Sequence, residues 1–401
     1  MEFSVLPQAS PGGADDITNG FFFMSPYRSF VTQGRFCAIN TPAGTGHLPN
    51  GAFQRELSQA FRRASDAGIA RPRVVGAIPF DADRPAQLFI PQSSHEFDRA
   101  KFLADNQPRG AALPQVTGAI ERPPEQDFKR MVARAVEATG QQRLSKVVLS
   151  RLLDISTRDP VDTAALMRRI LAQNPASYNF YVPLGHGALL GASPELLLRK
   201  TGHRFYSTPL AGSARRDAEP GRDAAAGRQL LASAKDRYEH QLVIEQMREV
   251  LSPYSEGLTV PSAPTLVNTP TLWHLATAIE GRVEDPAVNA LSLACLLHPT
   301  PALCGAPTDR ARRLIQALEP FDRDLFGGMV GWCDAQGNGE WVVTIRCARV
   351  AGNQVRLFAG AGIVPASQPA AEWRETGVKL DTMLDAFGLH ETNRRDDEHS
   401  V

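Results

Sequence analysis

The sequence predicts an α+β fold in which antiparallel sheets and helices form one large domain. Strand-like segments follow one another in hairpin-like runs, helix-like segments separate these runs, and a regular alternation of strand, helix and strand is not sustained. With 401 residues, of which 43% are hydrophobic, the chain is long enough to bury a large core. We therefore expect layered antiparallel sheets with surrounding helices.

The N-terminal part contains few clear elements. After a leader rich in proline and glycine, residues 20–39 are typical of a strand, a turn and a second strand. Residues 53–68 have the apolar spacing of a helix, and residues 71–80 form another strand-like run. Residues 86–124 look irregular and are the best candidate for a seam within the chain.

Clearer elements begin near residue 125, where apolar residues recur either at helical spacing or in short strand-like runs. Predicted helices cover residues 125–140, 162–173, 227–251, 288–297, 308–318 and 369–388. Predicted strands cover residues 145–155, 177–184, 187–193, 195–200, 203–210, 339–350 and 353–362. The segment 227–251 is predicted to be one continuous amphipathic helix of about seven turns.

Charge and cysteine content exclude several classes of partner. Lys plus Arg and Asp plus Glu are both 43, so no overall field attracts nucleic acid or an anionic membrane. The five cysteines are widely spaced and form no CxxC pair, which indicates reduced thiols. The sequence contains neither a signal peptide nor the about 20 apolar residues of a membrane span. We expect a cytoplasmic protein with a small-molecule partner, and a monomer because no coiled coil is evident.

A lysine stands at the head of an apolar strand. In the segment SKVVLSR, Lys146 precedes Val147, Val148 and Leu149. One interpretation is that its ammonium group reaches water from the strand end and has no role. The other is that partial burial lowers the pKa of Lys146, so that the neutral amine can act as a general base. The segment alone leaves both interpretations open.

Two helices carry acidic residues with the same spacing. Asp236 and Glu239 lie three positions apart in one helix, Glu372 and Glu375 do so in the other, and Lys379 continues the second face. Neighbouring basic side chains could neutralise either pair on a solvated surface, namely Lys235, Arg237 and Arg374. If the four carboxylates met in space, they would form an oxygen-only site suited to Mg²⁺.

Other segments offer weaker signals. Glu195 lies in a Ser-Pro-Glu turn before an apolar strand, where a carboxyl group can remain protonated as a general acid or simply cap the turn. His274, judged by residue type alone, is typical of a core histidine with satisfied hydrogen bonds. The strand ends at residues 207–216 and 358–364 are rich in small residues, which lets backbone N–H groups approach a carboxylate. None of the glycine-rich segments has the context of a nucleotide-binding loop.

Ten motifs of this chain resemble, in order and spacing, those of the chorismate-utilising enzymes: SKVVLSR, ASPELLLRK, STPLAGSARR, SAKDRYEH, LWHLAT, LHPTPALCG, FGGMVGW, TIRCARV, AGAGIV and EWRETGVK. That family includes isochorismate, salicylate, anthranilate and aminodeoxychorismate synthases. The resemblance is close over residues 125–390, whereas residues 1–124 match in general layout. It implies a single anthranilate synthase component I-like domain over residues 1–401. The polar segment at residues 391–401 is expected to be a flexible tail.

The resemblance implies that the two acidic pairs share a metal ion. In this family Mg²⁺ is bound to the carboxylate on the chorismate ring. The matched positions imply that Glu239 and Glu375 are direct ligands of Mg²⁺. They imply that Asp236 and Glu372 bind it through water.

The resemblance also implies how chorismate is held. Arg346, with Gly360 and Gly362, matches the site of the enolpyruvyl carboxylate, and an arginine fork suits bidentate capture of a carboxylate. The family positions that hold the ring side of chorismate match Gly212, Ser213 and Lys379. A family position beside the ring matches His274.

The residue at position 146 separates the branches of the family. Members that deliver ammonia carry glutamine there, whereas members that deliver water carry a lysine that deprotonates it. Aminodeoxychorismate synthases also have a nucleophilic lysine where this chain has Ala211. The resemblance therefore implies chorismate and water as substrates, with no glutaminase subunit. Lys146 would activate water for attack at ring C2, while Glu195 would protonate the departing C4 hydroxyl on the opposite face.

Isochorismate formation is the first interpretation and salicylate formation the second. Salicylate synthases share Lys146 and Glu195 but then eliminate pyruvate. Ala302 and Leu303 match the isochorismate-forming members, since the lyase branch tends to have a polar residue such as threonine at position 302. Among these members, those of catecholate siderophore pathways, which make 2,3-dihydroxybenzoate, resemble the chain more than those of menaquinone synthesis. A non-catalytic chorismate-binding relative is the third interpretation, but it would be expected to have lost the base, the acid or a metal ligand.

Overall fold

The computed structural model describes residues 17–108, 113–140 and 144–389. The expected tail at residues 391–401 lies outside this part of the chain. The helices are α1 (Ala52–Asp66), α2 (Arg99–Asp105), α3 (Glu125–Thr139), α4 (Thr163–Gln173), α5 (Pro220–Ala232), α6 (Ala234–Leu251), α7 (Ala290–Leu297), α8 (Thr308–Leu318) and α9 (Pro369–Leu384). Within the three described ranges, no helix is long and apolar enough to cross a membrane.

The strands are short, apart from two that run along the candidate site. They are β1 (Phe22–Met24), β2 (Ser29–Gln33), β3 (Cys37–Ile39), β4 (Arg73–Ile78), β5 (Gln87–Ile90), β6 (Ser93–Glu96), β7 (Val116–Arg122), β8 (Lys146–Thr157), β9 (Tyr178–Pro183), β10 (Ala188–Ser193), β11 (Leu196–Thr201), β12 (Arg204–Thr208), β13 (Leu210–Arg215), β14 (Glu256–Thr259), β15 (Thr265–Asn268), β16 (Leu272–Ala276), β17 (Ile279–Arg282), β18 (Gly305–Ala306), β19 (Met329–Asp334), β20 (Gly339–Val343), β21 (Cys347–Ala351) and β22 (Gln354–Ile363). The two long strands, β8 and β22, pair along ten residues.

The strands form two large sheets and one small sheet. Sheet A has the order β18-β8-β22-β21-β10-β9-β1-β2-β6, with β7 also paired to β8. Sheet B has the order β14-β17-β12-β11-β20-β19-β4-β5-β3, and sheet C has the order β13-β16-β15. All of these pairings are antiparallel, including those of β1 with β9 and of β4 with β19, which join early and late parts of the chain. The predicted α+β class with antiparallel sheets is confirmed.

The core is layered, because alternate residues of a strand face opposite sides of its sheet. The largest cluster lies between the two large sheets and contains Phe180 from sheet A and Trp332 from sheet B. The next residue of β9, Tyr181, belongs to a second cluster, where α4 and α9 cover the other face of sheet A. A third cluster packs α3 and α8 against β8. Helices therefore flank sheet A on the side away from sheet B.

Residues 227–251 do not form the single helix that their apolar spacing predicts. α5 ends at Ala232 and α6 begins at Ala234, because Ser233 between them has an extended conformation with φ −65° and ψ 117°. The Ser233 hydroxyl accepts a hydrogen bond from the Asp236 N–H at 3.3 Å and donates to Asp236 Oδ2 at 2.5 Å. The prediction was wrong because a serine followed three residues later by an acid starts a new helix.

The predicted strand over residues 339–350 is two strands in different sheets. β20 belongs to sheet B and β21 to sheet A, so the chain crosses between the sheets at residues 344–346. Arg346 lies in this crossing with φ 49°, in the left-handed region that few residues other than glycine adopt. The prediction was wrong because the apolar run continues through the crossing and conceals it.

Residues 86–124 contain more regular structure than the sequence predicts. β5, β6, α2 and β7 lie in this segment. β5 and β6 are four residues long; β5 pairs with β3 and β4, and β6 pairs with the more distant β2. The prediction of an irregular segment was wrong because strands this short are specified by their partners more than by a local pattern.

Candidate active site

A cleft lies where strands pass from one sheet to another. The chain crosses from β10 in sheet A to β11 in sheet B at Pro194 and Glu195, and it crosses back after β20 at residues 344–346. The cleft beside these crossings contains about 550 Å³ of empty space, its open mouth included. Around this cavity lie residues of sheet A, such as Val148 and Gly360, and residues of sheet C, such as Ser213 and His274, together with the two crossings.

Every residue predicted to hold the substrate lies in the wall of this cleft. These residues are Gly212, Ser213, Ala302, Leu303, Arg346, Gly360, Gly362 and Lys379. Glu195, His274 and Glu239 line the same cleft. The structure thus brings together residues from eight separate segments of the chain, while the role of each residue stays a prediction.

Glu195 is buried at the first crossing. Its side chain is 2% exposed, and its Oε1 accepts a hydrogen bond from the Leu210 N–H at 3.3 Å. Burial raises the pKa of Glu195 to about 7, although that hydrogen bond and the positive charges of Lys146, Arg346 and Lys379 oppose the shift. A carboxyl group with this pKa can keep its proton near neutral pH, as a general acid must.

Lys146 is completely buried rather than partly buried. Its Nζ lies 3.1 Å from Glu239 Oε1 in an ion pair whose two side chains are both shielded from water. A Cβ atom at Gly362 would lie 2.0 Å from Glu239 Oε1 and 2.9 Å from Lys146 Cε, so a larger residue at position 362 would displace this ion pair. Of the two interpretations of Lys146, the one in which its ammonium group reaches water is wrong.

Arg346 is the buried cation of the second crossing. Burial lowers the pKa of Arg346 to about 10, against the opposing effect of Glu195 and Glu375, so the guanidinium remains charged at neutral pH. The left-handed backbone of Arg346 persists because its C=O group accepts a hydrogen bond from the Ala192 N–H at 3.0 Å. Backbone strain of this kind is concentrated at functional sites.

His274 is not the satisfied core histidine that its residue type suggests. It pairs with Ser213 across β13 and β16, and its buried Nε2 atom has no hydrogen-bond partner among the described residues. Burial, together with the nearby charges of Arg346 and Lys379, lowers the pKa of His274 to about 3. A neutral imidazole with one free nitrogen therefore faces the cleft, where it can exchange a hydrogen bond with a ligand.

The two acidic helices meet at Lys235. The Lys235 Nζ atom lies 3.1 Å from Glu372 Oε1 on α9, and 3.8 Å from both Glu239 Oε2 and Asp236 Oδ1 on α6. Within α9, Lys379 Nζ lies 2.6 Å from Glu375 Oε1, one helical turn away. The structure therefore brings the four predicted metal-binding carboxylates into one network with two lysines.

The side chains of this network differ in the direction of their pKa shifts. Burial raises the pKa of Glu372, and the charge of Glu375 raises it further. Burial would also raise the pKa of Glu375, but Lys379 and Lys235 outweigh that effect and lower it. Burial would lower the pKa of Lys235, yet the surrounding carboxylates raise it. At neutral pH, the Glu375 side chain is thus a charged carboxylate.

The donor set fits Mg²⁺, which prefers oxygen ligands and keeps several waters. The predicted ligands are all carboxylates, and the buried Glu372 Oε2 has no hydrogen-bond partner among the described residues. In the part of the chain that the structure describes, no three acidic, imidazole or thiol groups converge closely enough to hold one ion.

Lys235 is the site residue that sequence reasoning placed wrongly. As one of three basic neighbours, it was expected to neutralise acids on a solvated surface, yet its side chain is only 23% exposed and lies between α6 and α9. Its position four residues before Glu239 could have indicated a contact on the same helix face. No local pattern could have indicated the contact with Glu372.

Comparison with known proteins identifies the family. The family model described as chorismate binding enzyme matches residues 53–388, more than half of the chain. The chain belongs to the chorismate-binding enzyme family. The wall of the cleft is built from residues within the matched range, so this family's characteristic region contains the whole candidate site.

Relatives within the chorismate-binding enzyme family match along nearly the whole chain. Isochorismate synthase EntC of Escherichia coli (strain K12) is 55% identical over 394 residues, which cover 97% of this chain and 100% of that protein. A crystal structure assigned to the 2,3-dihydroxybenzoate-specific isochorismate synthase DhbC of Bacillus anthracis is similar with a TM-score of 0.85 and 37% identity, and it covers 94% of this chain and 99% of that chain.

A more distant structure confirms the predicted fold family. Anthranilate synthase component I of Streptococcus pneumoniae TIGR4 is similar with a TM-score of 0.72. It covers 90% of this chain and 93% of that chain, at 21% sequence identity. The similarity at this identity concerns the fold, and the anthranilate synthase component I-like architecture is confirmed.

Proposed function

We propose that this protein is an isochorismate synthase that converts chorismate to isochorismate with Mg²⁺ bound. The observation that carries the proposal is the ion pair between the buried Lys146 and Glu239, because Glu239 lies in the same cleft wall as the protonatable Glu195. The 55% identity to a protein named isochorismate synthase supports the same reaction. This chemistry needs an acid, a base and carboxylate ligands close to one another.

The reaction exchanges a hydroxyl group between two ring carbons. Lys146 takes a proton from a water molecule whose oxygen forms a bond to C2. The ring double bond shifts, and the bond between C4 and its oxygen breaks. Glu195 gives its proton to that oxygen, which leaves as water. One water enters and one leaves, so chorismate and isochorismate are isomers.

The remaining residues bind and orient chorismate. Arg346 would pair with the enolpyruvyl carboxylate, and Gly360 and Gly362 leave room for it. Bound Mg²⁺, held by Glu239 and Glu375 directly and by Asp236 and Glu372 through water, would anchor and neutralise the ring carboxylate. Positioning within a closed cleft supplies much of the rate enhancement in reactions of this kind.

We place the activity in a pathway to a catecholate siderophore, with isochorismate as the precursor of 2,3-dihydroxybenzoate. The similarity to a structure assigned to a 2,3-dihydroxybenzoate-specific isochorismate synthase supports this pathway. Menaquinone synthesis is the alternative pathway. Salicylate synthesis is the alternative reaction, and the apolar Ala302 and Leu303 in the cleft wall favour release of isochorismate before pyruvate is eliminated.

The proposal requires only chorismate and water as substrates. It includes no glutaminase subunit, nucleic acid or membrane partner, since water replaces ammonia as the nucleophile. We propose a monomer in the cytoplasm. Size-exclusion chromatography with light scattering tests the monomer, because a dimer would double the 43.6 kDa mass of the chain.

Product analysis tests the proposed reaction. Purified protein incubated with chorismate and MgCl₂ should form isochorismate, which chromatography separates from chorismate, and the same mixture with EDTA should form little. Formation of salicylate together with pyruvate would instead support a salicylate synthase. Conversion to anthranilate in the presence of an ammonium salt would contradict the use of water.

Removal of a metal-binding carboxylate should weaken the binding of Mg²⁺. We expect Glu239→Gln and Glu375→Gln each to reduce Mg²⁺ affinity by more than the about 10- to 100-fold that a lost outer-sphere partner costs. Each loses a charged oxygen ligand. Isothermal titration calorimetry measures the affinity directly. Glu249→Gln, an exposed substitution on the same helix as Glu239, should bind Mg²⁺ like the wild type. Wild-type affinity in the first two variants would remove these residues from the site.

A further inference from the structure

One edge of β8 lacks a strand partner beside the cleft. β18 pairs with Lys146 and Val147 at the start of β8, and β7 pairs with residues 152–157 at its end. Between these two strands, the Val148 N–H still donates to the Cys304 C=O at 2.8 Å. The Cys304 N–H turns away, however, to the Thr300 C=O. The chain before β18 thus leaves the sheet where Ala302 and Leu303 enter the cleft wall.

A buried ion pair takes the place of the missing strand. Glu319 Oε1 accepts a hydrogen bond from the Ser150 N–H at 2.8 Å. Arg323 donates from Nη2 to the Val148 C=O at 2.8 Å and from Nη1 to the Leu303 C=O at 2.7 Å. A carboxylate and a guanidinium therefore supply the acceptor and donor that a neighbouring strand would offer, and they satisfy backbone groups that could not be left unpaired.

The pair is buried and extensively hydrogen-bonded. Its two side chains are each 2% exposed, and Arg323 donates to both carboxylate oxygens of Glu319, at 2.8 and 2.5 Å. The guanidinium also lies 4.5 Å from the centre of the Phe80 ring. A buried ion pair is costly to desolvate, and it is tolerated where hydrogen bonds satisfy its remaining donors and acceptors. A pair of hydrophobic residues could fill the space but could not hold the three backbone groups.

We propose that Glu319 and Arg323 are positioning residues for the reaction. Val148 and Leu303, whose carbonyl groups Arg323 holds, both have side chains in the cleft wall. Lys146 lies two residues before Val148 on the same strand. The ion pair thereby fixes the distance between the strand that bears the base and the wall that faces the ring. The expected effect of the pair on turnover rests on the proposed function. The expected effect on hydrogen exchange of the backbone does not.

Arg323→Lys tests the inference, because it keeps the positive charge beside Glu319 and loses the fork that reaches two carbonyl groups. Hydrogen–deuterium exchange should become faster in peptides that cover residues 145–151 and 300–306. The kcat value should fall about 10- to 100-fold, as expected for a small displacement of reacting groups. The KM value for chorismate should change less than about threefold, because the groups that bind its carboxylates are untouched.

Arg73→Lys is the matched control. Arg73 is also buried, pairs with Glu96 at 3.0 Å, and lies 4.6 Å from the Phe30 ring, on β4 and away from the cleft. The Arg73→Lys substitution should lower the thermal stability without changing kcat or the hydrogen exchange of the two peptides. Wild-type exchange in Arg323→Lys would overturn the inference. The inference would also be overturned if Arg323→Lys lowered kcat no more than Arg73→Lys does, when both variants lose the same thermal stability.

Two further outcomes are decided by the same measurements. If Arg323→Lys does not fold, Glu319→Gln keeps an oxygen for the Ser150 N–H and weakens only the ion pair, and it should show the same effects to a smaller degree. Unchanged exchange in Glu319→Gln would then overturn the inference. If the wild type does not convert chorismate, the proposed function fails, and the exchange of the two peptides alone decides whether the pair holds these segments.

Discussion

Replacing Lys146 with alanine should lower kcat by about 10²- to 10⁴-fold, the contribution typical of a general base. The variant loses the group that takes a proton from the attacking water. Binding of chorismate should be largely retained, because Arg346 and Lys379 remain in the cleft wall. Steady-state kinetics measures the first effect, and calorimetric titration with chorismate measures the second.

Lys200→Ala is a suitable control for this variant. Lys200 is a buried lysine on β11 whose Nζ donates to the Gly202 C=O at 2.7 Å, outside the cleft. Its loss should change stability but not kcat. If Lys146→Ala turns over chorismate at a rate close to that of the wild type, Lys146 is not the base and the proposed mechanism fails.

Replacing Glu195 with glutamine should also lower kcat by about 10²- to 10⁴-fold, since an amide cannot supply the proton that the departing hydroxyl needs. Glutamine has nearly the same shape and can still accept the hydrogen bond from the Leu210 N–H. The expected loss is therefore chemical and not structural. Circular dichroism and thermal melting should show a wild-type fold.

The pH dependence gives an independent test of Glu195. Only the protonated carboxyl can act as the acid, and burial raises the pKa of Glu195 to about 7. The kcat/KM value of the wild type should therefore fall as the pH rises through about 7, and this limb should be absent from the residual activity of Glu195→Gln. A profile that rises through the same range would contradict the assignment.

Glu340 provides the control for this second prediction. It is a fully buried carboxyl whose pKa burial also raises to about 7, but it accepts a hydrogen bond from Ser25 and lies outside the cleft. Glu340→Gln should leave kcat and its pH profile unchanged. The comparison separates the effect of a raised pKa from the effect of position, because perturbed pKa values also occur in structural networks.

Local features of the candidate site could be predicted from the sequence. The Ser-Pro-Glu turn placed Glu195 directly before an apolar strand, and the structure has it in the crossing between β10 and β11. The three-residue spacing of Asp236 with Glu239 and of Glu372 with Glu375 correctly put each pair on one side of a helix. These features depend on neighbours within one turn of helix or one strand, which the sequence encodes directly.

Contacts between distant segments could not be predicted in this way. The prediction of one strand over residues 339–350 would have made Arg346 an ordinary strand residue, whereas the change of sheet turns it into the cleft. Lys235 was assigned to a surface because its contact with Glu372 joins two helices more than 100 residues apart. The prediction of one helix over 227–251 missed the break at Ser233, which sets the start of α6 and the position of its acids.

The sequence by itself determined which chemical groups are present, in what order, and on which face of each helix or strand they lie. Only the tertiary structure decided that Lys146 is buried against Glu239, that strands cross between sheets around a cleft, and that Glu319 completes the edge of β8. The physical reason is that periodicity reports contacts within an element. A hydrogen bond such as that from Ser150 to Glu319, 169 residues apart, exists only because the packed core fixes where both elements lie.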